Sequence, residues 1–135
     1  MAVKFSVEVR NARLDALETA IGTSAVLKIR SGSAPTNITD ADSGTVLATL
    51  SLPSDWMANA ASGSKSKSGT WQDTSADNTG TAAHFRLYAS DGTTQHMQGS
   101  ITATGGGGDM TVDNTSFVAG QSFTVTAFTL TDGNG

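Results

Sequence analysis

The sequence predicts a mainly β protein, an antiparallel, jelly-roll-like β-sandwich with one N-terminal α-helix. Three observations predict it. The chain has 135 residues with 15 Gly, 15% charged and only 6% aromatic side chains. Its abundant Thr and Val favour strands, while Gly, Asn, Asp and Ser favour the turns between them. Several short stretches alternate apolar and polar residues at sandwich-like spacing, and one stretch near the start repeats its apolar residues at helical spacing instead. The length suits one domain over residues 1–135, large enough to take roughly two-thirds of its unfolded surface out of water.

Along the chain, residues 1–9 alternate Val3, Phe5, Val7 and Val9. They read as the first strand of the domain, or as an edge strand or arm that pairs with a neighbour. Residues 10–21 form the helix, with Leu14, Leu17 and Ile21 as its stripe and Ala12, Ala16 and Ala20 as strong formers. Asn11 and Ser6 compete as the N-cap, and Gly22 suits the C-terminus. A lone helix of this length is marginal, so the stripe has to dock.

Residues 25–131 form the β-sandwich. Ala25, Leu27 and Ile29 share one side of a strand, and Lys28 and Arg30 the other. A loop from Ser31 to Gly44 follows, then an alternating strand through Val46, Ala48, Leu50 and Leu52, stopped by Pro53. Ser54–Gly69 is a long irregular connection, a kind usually functional or mobile. Trp71 opens another strand. The strongest hairpin signal surrounds Ser90-Asp-Gly: a three-residue loop bulged at Gly92 puts Ala83, Phe85, Leu87 and Ala89 on the same side as Met97, Gly99, Ile101 and Ala103. Gly105–Gly108 is a mobile tip. The last strand, Ser122–Thr131, changes parity after Ala127, so it either bulges there or has both sides covered. Residues 132–135 read as a flexible tail.

The composition excludes several chemistries. The formal charge is −4, and all Lys and Arg lie at or before Arg86; beyond it the charges are Asp91, Asp109, Asp113 and Asp132. Such a surface repels phosphate and anionic lipid, arguing against nucleic-acid and membrane partners, although Lys65 and Lys67 could touch an anion locally. No cysteine is present, which removes disulfides and Cys-ligated zinc. No apolar run resembles a signal peptide or a span.

No residue constellation calls for catalysis, a metal or a cofactor. His84 and His96 fall on the polar side of the hairpin with Arg86, Tyr88 and Gln98, about 13 Å apart at strand rise, too far to share a metal. Asp40-Ala-Asp-Ser-Gly44 starts like a calcium loop but has Thr45 and Ser51 where glycine and a bidentate Glu are required; it reads as a turn. Gly105–Gly108 lacks a following Gly-Lys-Ser/Thr, so it is no phosphate cradle. The expectation is a non-enzymatic protein. Trp56 and Met57, in an otherwise polar loop, are either tucked onto the core or anchors for another chain. With Val3, Phe5 and Val7 they are the candidate partner contacts.

Three stretches carry a family resemblance: Arg10–Gly22 running on through Val26–Pro35, Thr79–Arg86, and Asp109–Thr115 followed by Gly120 and Phe123–Leu130. They resemble, in matching order, a family of small virion structural proteins of tailed phages and prophages, of the capsid decoration or cement type. The resemblance implies a structural role on the capsid surface, assembled in the bacterial host cytoplasm. Its implied partners are the major capsid protein lattice and further copies of itself, as dimer or trimer. Lys65, Lys67 and Gly105–Gly108 lie outside the shared pattern. Two other readings stay open: a tail-associated structural protein (tube, tip or fibre-associated domain), and a ligand- or receptor-binding β-module.

Overall fold

A computed structural model describes residues 3–132. The protein is mainly β with a single N-terminal helix, as the sequence predicts. Helix α1 spans Val7–Ile21. It begins earlier than its apolar spacing suggests because Ser6, in extended conformation, accepts a hydrogen bond from the Val9 amide, and Glu8 complements the positive helix end. Ser6, not Asn11, is the cap. Val7 and Val9 are therefore helical and Val3–Ser6 form no strand, so the strand expected over residues 1–9 does not form among the described residues, and only a short extended arm precedes the helix.

The docked side of α1 is also rotated from expectation. Leu14 and Ile21 are buried, but Leu17 is exposed. Asn11 accepts from the Gly63 amide at 2.9 Å, and Asp15 from the Ala60 amide at 2.9 Å. Lys65, 1% exposed, pairs with Asp15 and with Glu18 at 3.0 Å. The helix thus docks through Asn11, Leu14, Asp15, Glu18 and Ile21, because the segment beneath it presents backbone amides and a buried ammonium that require acceptors. Lys65 is consumed internally rather than offered to an anion.

Among the described residues ten short strands follow: β1 Val26–Ser31, β2 Val46–Ser51, β3 Ser64–Ser66, β4 Trp71–Asp73, β5 Gly80–Tyr88, β6 Gln95–Ala103, β7 Met110–Val112, β8 Ser116–Phe117, β9 Phe123–Val125 and β10 Thr129–Thr131. The main sheet runs β2-β1-β5-β6-β7, with β8 on the start of β5. Pairing Leu27 with Leu87 and Leu50, and Ile29 with Phe85 and Ala48, gathers the apolar parity on one side. Over this side lie two ribbons, β3–β10 and β4–β9, with Trp56, Met57 and Phe128 in the same core. The rings of Trp56, Trp71, Phe128 and Phe85 touch in sequence, with centroids 5.7 to 6.1 Å apart.

The hairpin register is as expected, Leu87 opposite Met97 and Phe85 opposite Gly99. The bulge, however, falls at His96, so Tyr88 faces Gln95. Asp91 closes a longer loop by accepting from the Thr93 and Thr94 amides, moving the extra residue into β6. The predicted last strand is two strands in separate ribbons, broken where its parity changes so that Val125 and Phe128 both reach the core. At the end, Asp132 is tied to Arg10, Arg13 and Gly63. It is no tail; the remainder of that expectation, residues 133–135, lies outside the described residues.

One pairing departs from the antiparallel expectation: β7 runs parallel to β6, Ile101 beside Met110. Parallel neighbours usually need a dozen or more linking residues, and here Thr104–Asp109 suffice. Gly105 and Gly107 adopt positive φ, and the Gly108 amide bonds the Thr102 hydroxyl at 3.0 Å. The glycine run is thus a packed reversal. A Cβ at Gly108 would lie 2.9 Å from the Thr102 backbone nitrogen, so Gly108→Ala is expected to cost about 1–3 kcal/mol, read as a lower midpoint in urea unfolding.

Candidate functional site

The second side of the main sheet carries the most concentrated polar chemistry among the described residues. Strand parity puts Lys28 and Arg30 of β1 on the same side as His84, Arg86 and Tyr88 of β5 and Gln98 of β6. Left in water, such a row needs no partners. Here Arg30, His84, Arg86 and Tyr88 are all buried, because the loop from Gly32 to Gly44 folds across them as a strap. Gly44 permits the tight return, since its φ is +71° and a side chain there would run into the Ser31 carbonyl.

Arg86, wholly buried, donates to the carbonyls of Asp40 at 2.9 Å and Asn37 at 3.1 Å, to the Gln98 amide oxygen at 3.0 Å and to Asp42 Oδ1 at 2.9 Å. Arg30 donates to Asp42 Oδ2 at 2.9 Å, and the Tyr88 hydroxyl to Asp42 Oδ1 at 2.7 Å. Gln98 donates to the Pro35 carbonyl at 2.7 Å. One carboxylate therefore serves two buried guanidiniums and a phenol. Burial alone would push the Asp42 carboxyl up; the hydrogen bonds from Tyr88 and Arg86 and the charge of both arginines outweigh it and hold the group below its ordinary range. The turn Asp40–Gly44 is thus the strap's fastening.

His84 sits beside the two arginines. Its Nδ1 lies 2.7 Å from the Gly32 carbonyl, which can only accept, so Nδ1 carries the proton and Nε2 is a bare acceptor. That Nε2 is buried without a hydrogen-bond partner. Burial, and then the neighbouring Arg30 and Arg86 charges, lower the histidine's pKa despite the opposing pull of the Gly32 carbonyl. The imidazole also lines a groove of about 620 Å³ with Gly32, Gln98, Ser100 and Asp109.

A stability consequence follows. His84 titrates lower in the folded protein than the ordinary value of about 6.5, so between those values the unfolded chain binds the extra proton. Stability is therefore full above about pH 6.5 and declines as acid takes the pH through and below it. His84→Asn, which can keep the donor to Gly32, is expected to flatten the fall in Tm between neutral pH and the acid side of that range. An unchanged slope would mean another group sets it.

The structure separates the residues singled out from sequence. His96 is exposed in the β6 bulge while His84 is buried, so they do not converge. No group of three or more metal-ligating side chains assembles among the described residues, and no helix among them is long and apolar enough to cross a membrane. Of the candidate partner contacts, Val3, Phe5 and Val7 are exposed, with the Arg13 guanidinium 4.9 Å from the Phe5 ring centroid. Trp56 and Met57 are 1% exposed, which corrects their reading as anchors. Trp56 is drawn inward because its Nε1 bonds the Gly22 carbonyl at 2.9 Å, fixing the end of α1 to the core. Sequence reading missed Asp42 and the strap. The signal was a cationic row on two paired strands, with Asp40 and Asp42 as the acidic turn nearest in sequence. Set against known proteins, the chain matches no family model, no curated protein and no solved structure.

Proposed function

We propose that this protein is a structural component of a tailed-phage particle, a decoration or cement protein on the outer capsid surface that stabilises the head through non-covalent contacts. The observation that carries the reading is the resemblance to the phage structural family and where its stretches fall: on α1, on β1 and the start of the strap, on β5, on β7, and on β9 and β10. They supply the framework, including Arg30 and Arg86, and not a reactive cluster.

The disposition of side chains supports the same role. Asp42 of the strap and Asp15 and Glu18 of the helix are committed to internal pairs with Arg30, Arg86 and Lys65, while Val3, Phe5 and Val7 stay on the surface. A cement protein works by many modest, symmetric contacts with the capsid lattice and with its own copies. A strapped, pre-ordered domain with a short apolar arm suits that task, because little entropy is lost on binding.

Quantitative mass spectrometry of purified particles, divided into tail-free heads and free tails, tests the proposal. Many copies on heads are expected. A few copies confined to tails would move the protein to the tail, and absence from both fractions would remove it from the particle altogether.

A further inference from the structure

Strand edges determine where another chain can add to a sheet. The β2 edge of the main sheet is closed: Asp73 accepts from the Thr49 amide at 2.9 Å, Asn78 donates to the Val46 carbonyl at 2.8 Å, and the Asp77 amide takes the Leu47 carbonyl at 2.7 Å. β6 differs. It pairs with β5, but on its other side it meets β7 only over Ile101–Ala103. Among the described residues no strand covers Gln95–Gly99 on that side. Across from it stands β10, which pairs with β3 alone. Between the two lies a groove of about 390 Å³ lined by Phe85, Met97, Phe128 and Leu130, with Gln98, Asp109, Thr129 and Thr131 among its polar residues.

We propose that this groove receives the segment Val3–Ser6 of a second copy of the chain as an added strand. Val3 and Phe5 are 75% and 42% exposed and alternate with Lys4 and Ser6. In an extended strand they share one side and reach the apolar floor together. Ser6 already has extended geometry, φ −65° and ψ 162°. The charges are complementary. Asp109 is the one charged residue lining the groove, and Lys4 is the one charged residue in the segment. In the single chain the Phe5 ring lies 4.9 Å from the Arg13 guanidinium on α1, a contact that entry into a neighbour's groove exchanges for the apolar floor.

A four-residue strand covers far less than the roughly 1,000 Å² of a stable interface. The association is therefore weak and concentration-dependent, and gains from reciprocal exchange in a closed oligomer. It holds whether or not the protein sits on a capsid.

The absence of cysteine makes the test direct. Val3→Cys and Leu130→Cys are placed in separate chains, mixed and mildly oxidised. A severalfold excess of the mixed disulfide is expected over a control mixture of Val3→Cys with Val118→Cys, whose partner position is exposed elsewhere. Sedimentation of the unmodified chain should shift to larger species as concentration rises. Val3→Asp should abolish that shift without lowering Tm, and Phe5→Asp should abolish it as well. A monomer at every concentration, or cross-linking no greater than the control, overturns the proposal. A disulfide that forms only within a doubly substituted chain at high dilution also overturns it, by placing the segment on its own groove.

Discussion

Replacing Asp42 with alanine is expected to lower the unfolding free energy by about 3 kcal/mol, more than any other change in the strap. Asp42 neutralises Arg30 and Arg86, 6% and 0% exposed, and accepts from the Tyr88 hydroxyl. Removing it leaves two guanidiniums facing one another in a poorly solvated site, and breaking a buried pair in this way typically costs about 3–5 kcal/mol. The lower end applies because 34% of the Asp42 side chain is exposed, so water can reach part of the site once the carboxylate is gone.

Asp42→Asn separates charge from shape, since it keeps an acceptor for Tyr88 while losing the negative charge. It should recover only part of the loss. Urea unfolding gives the magnitude, and hydrogen exchange locates it: amides of Gly32–Gly44 should exchange faster in both variants, while those of β9 and β10 keep their protection. If the strap amides exchange as before, the pairing is dispensable to the strap. The Asp42 carboxyl titrates below its ordinary value of about 3.8, so the stability it contributes is present above that pH and is lost as the pH falls through the folded value.

Trp56→Ala is expected to cost about 3–5 kcal/mol. The indole is 1% exposed, stacks obliquely on Trp71 and donates to the Gly22 carbonyl. Its loss opens a cavity beneath α1 and leaves a carbonyl at the helix end without its donor. The variant should therefore loosen the helix as well as the core. Thermal unfolding followed by circular dichroism reads both effects, as a lower Tm and reduced helical signal before the main transition. A variant that unfolds like the unmodified chain but fails to bind a partner would restore the anchor reading. Trp56→Phe, which fills most of the space without the N–H, should isolate the cost of the missing hydrogen bond, about 1–3 kcal/mol.

These two sites differ in how far the sequence disclosed them. The strands carrying Leu27, Ile29, Leu50, Phe85 and Leu87 were legible because alternation is a local property: the pleat sends every second side chain to one side, so the apolar parity names the core side directly. The hairpin register followed from the same rule, with Phe85 facing Gly99 and Leu87 facing Met97. The helix was legible in kind but not in rotation. Leu17 completes an apolar stripe in sequence, yet the buried Lys65 ammonium and the Gly63 and Ala60 amides demand acceptors, and these turn Asn11, Asp15 and Glu18 inward.

By itself, then, the sequence determined the fold class, the single helix, the core side of the main sheet and the pairing of β5 with β6, all set by periodicity over neighbouring residues. Only the tertiary structure decided which polar groups are buried, which way Trp56 turns, that β7 runs parallel to β6, and that Asp42 fastens the strap. Those outcomes depend on charges and donors far apart in the chain, brought together because a buried ion or amide without a partner costs more than ordering the loop that supplies one.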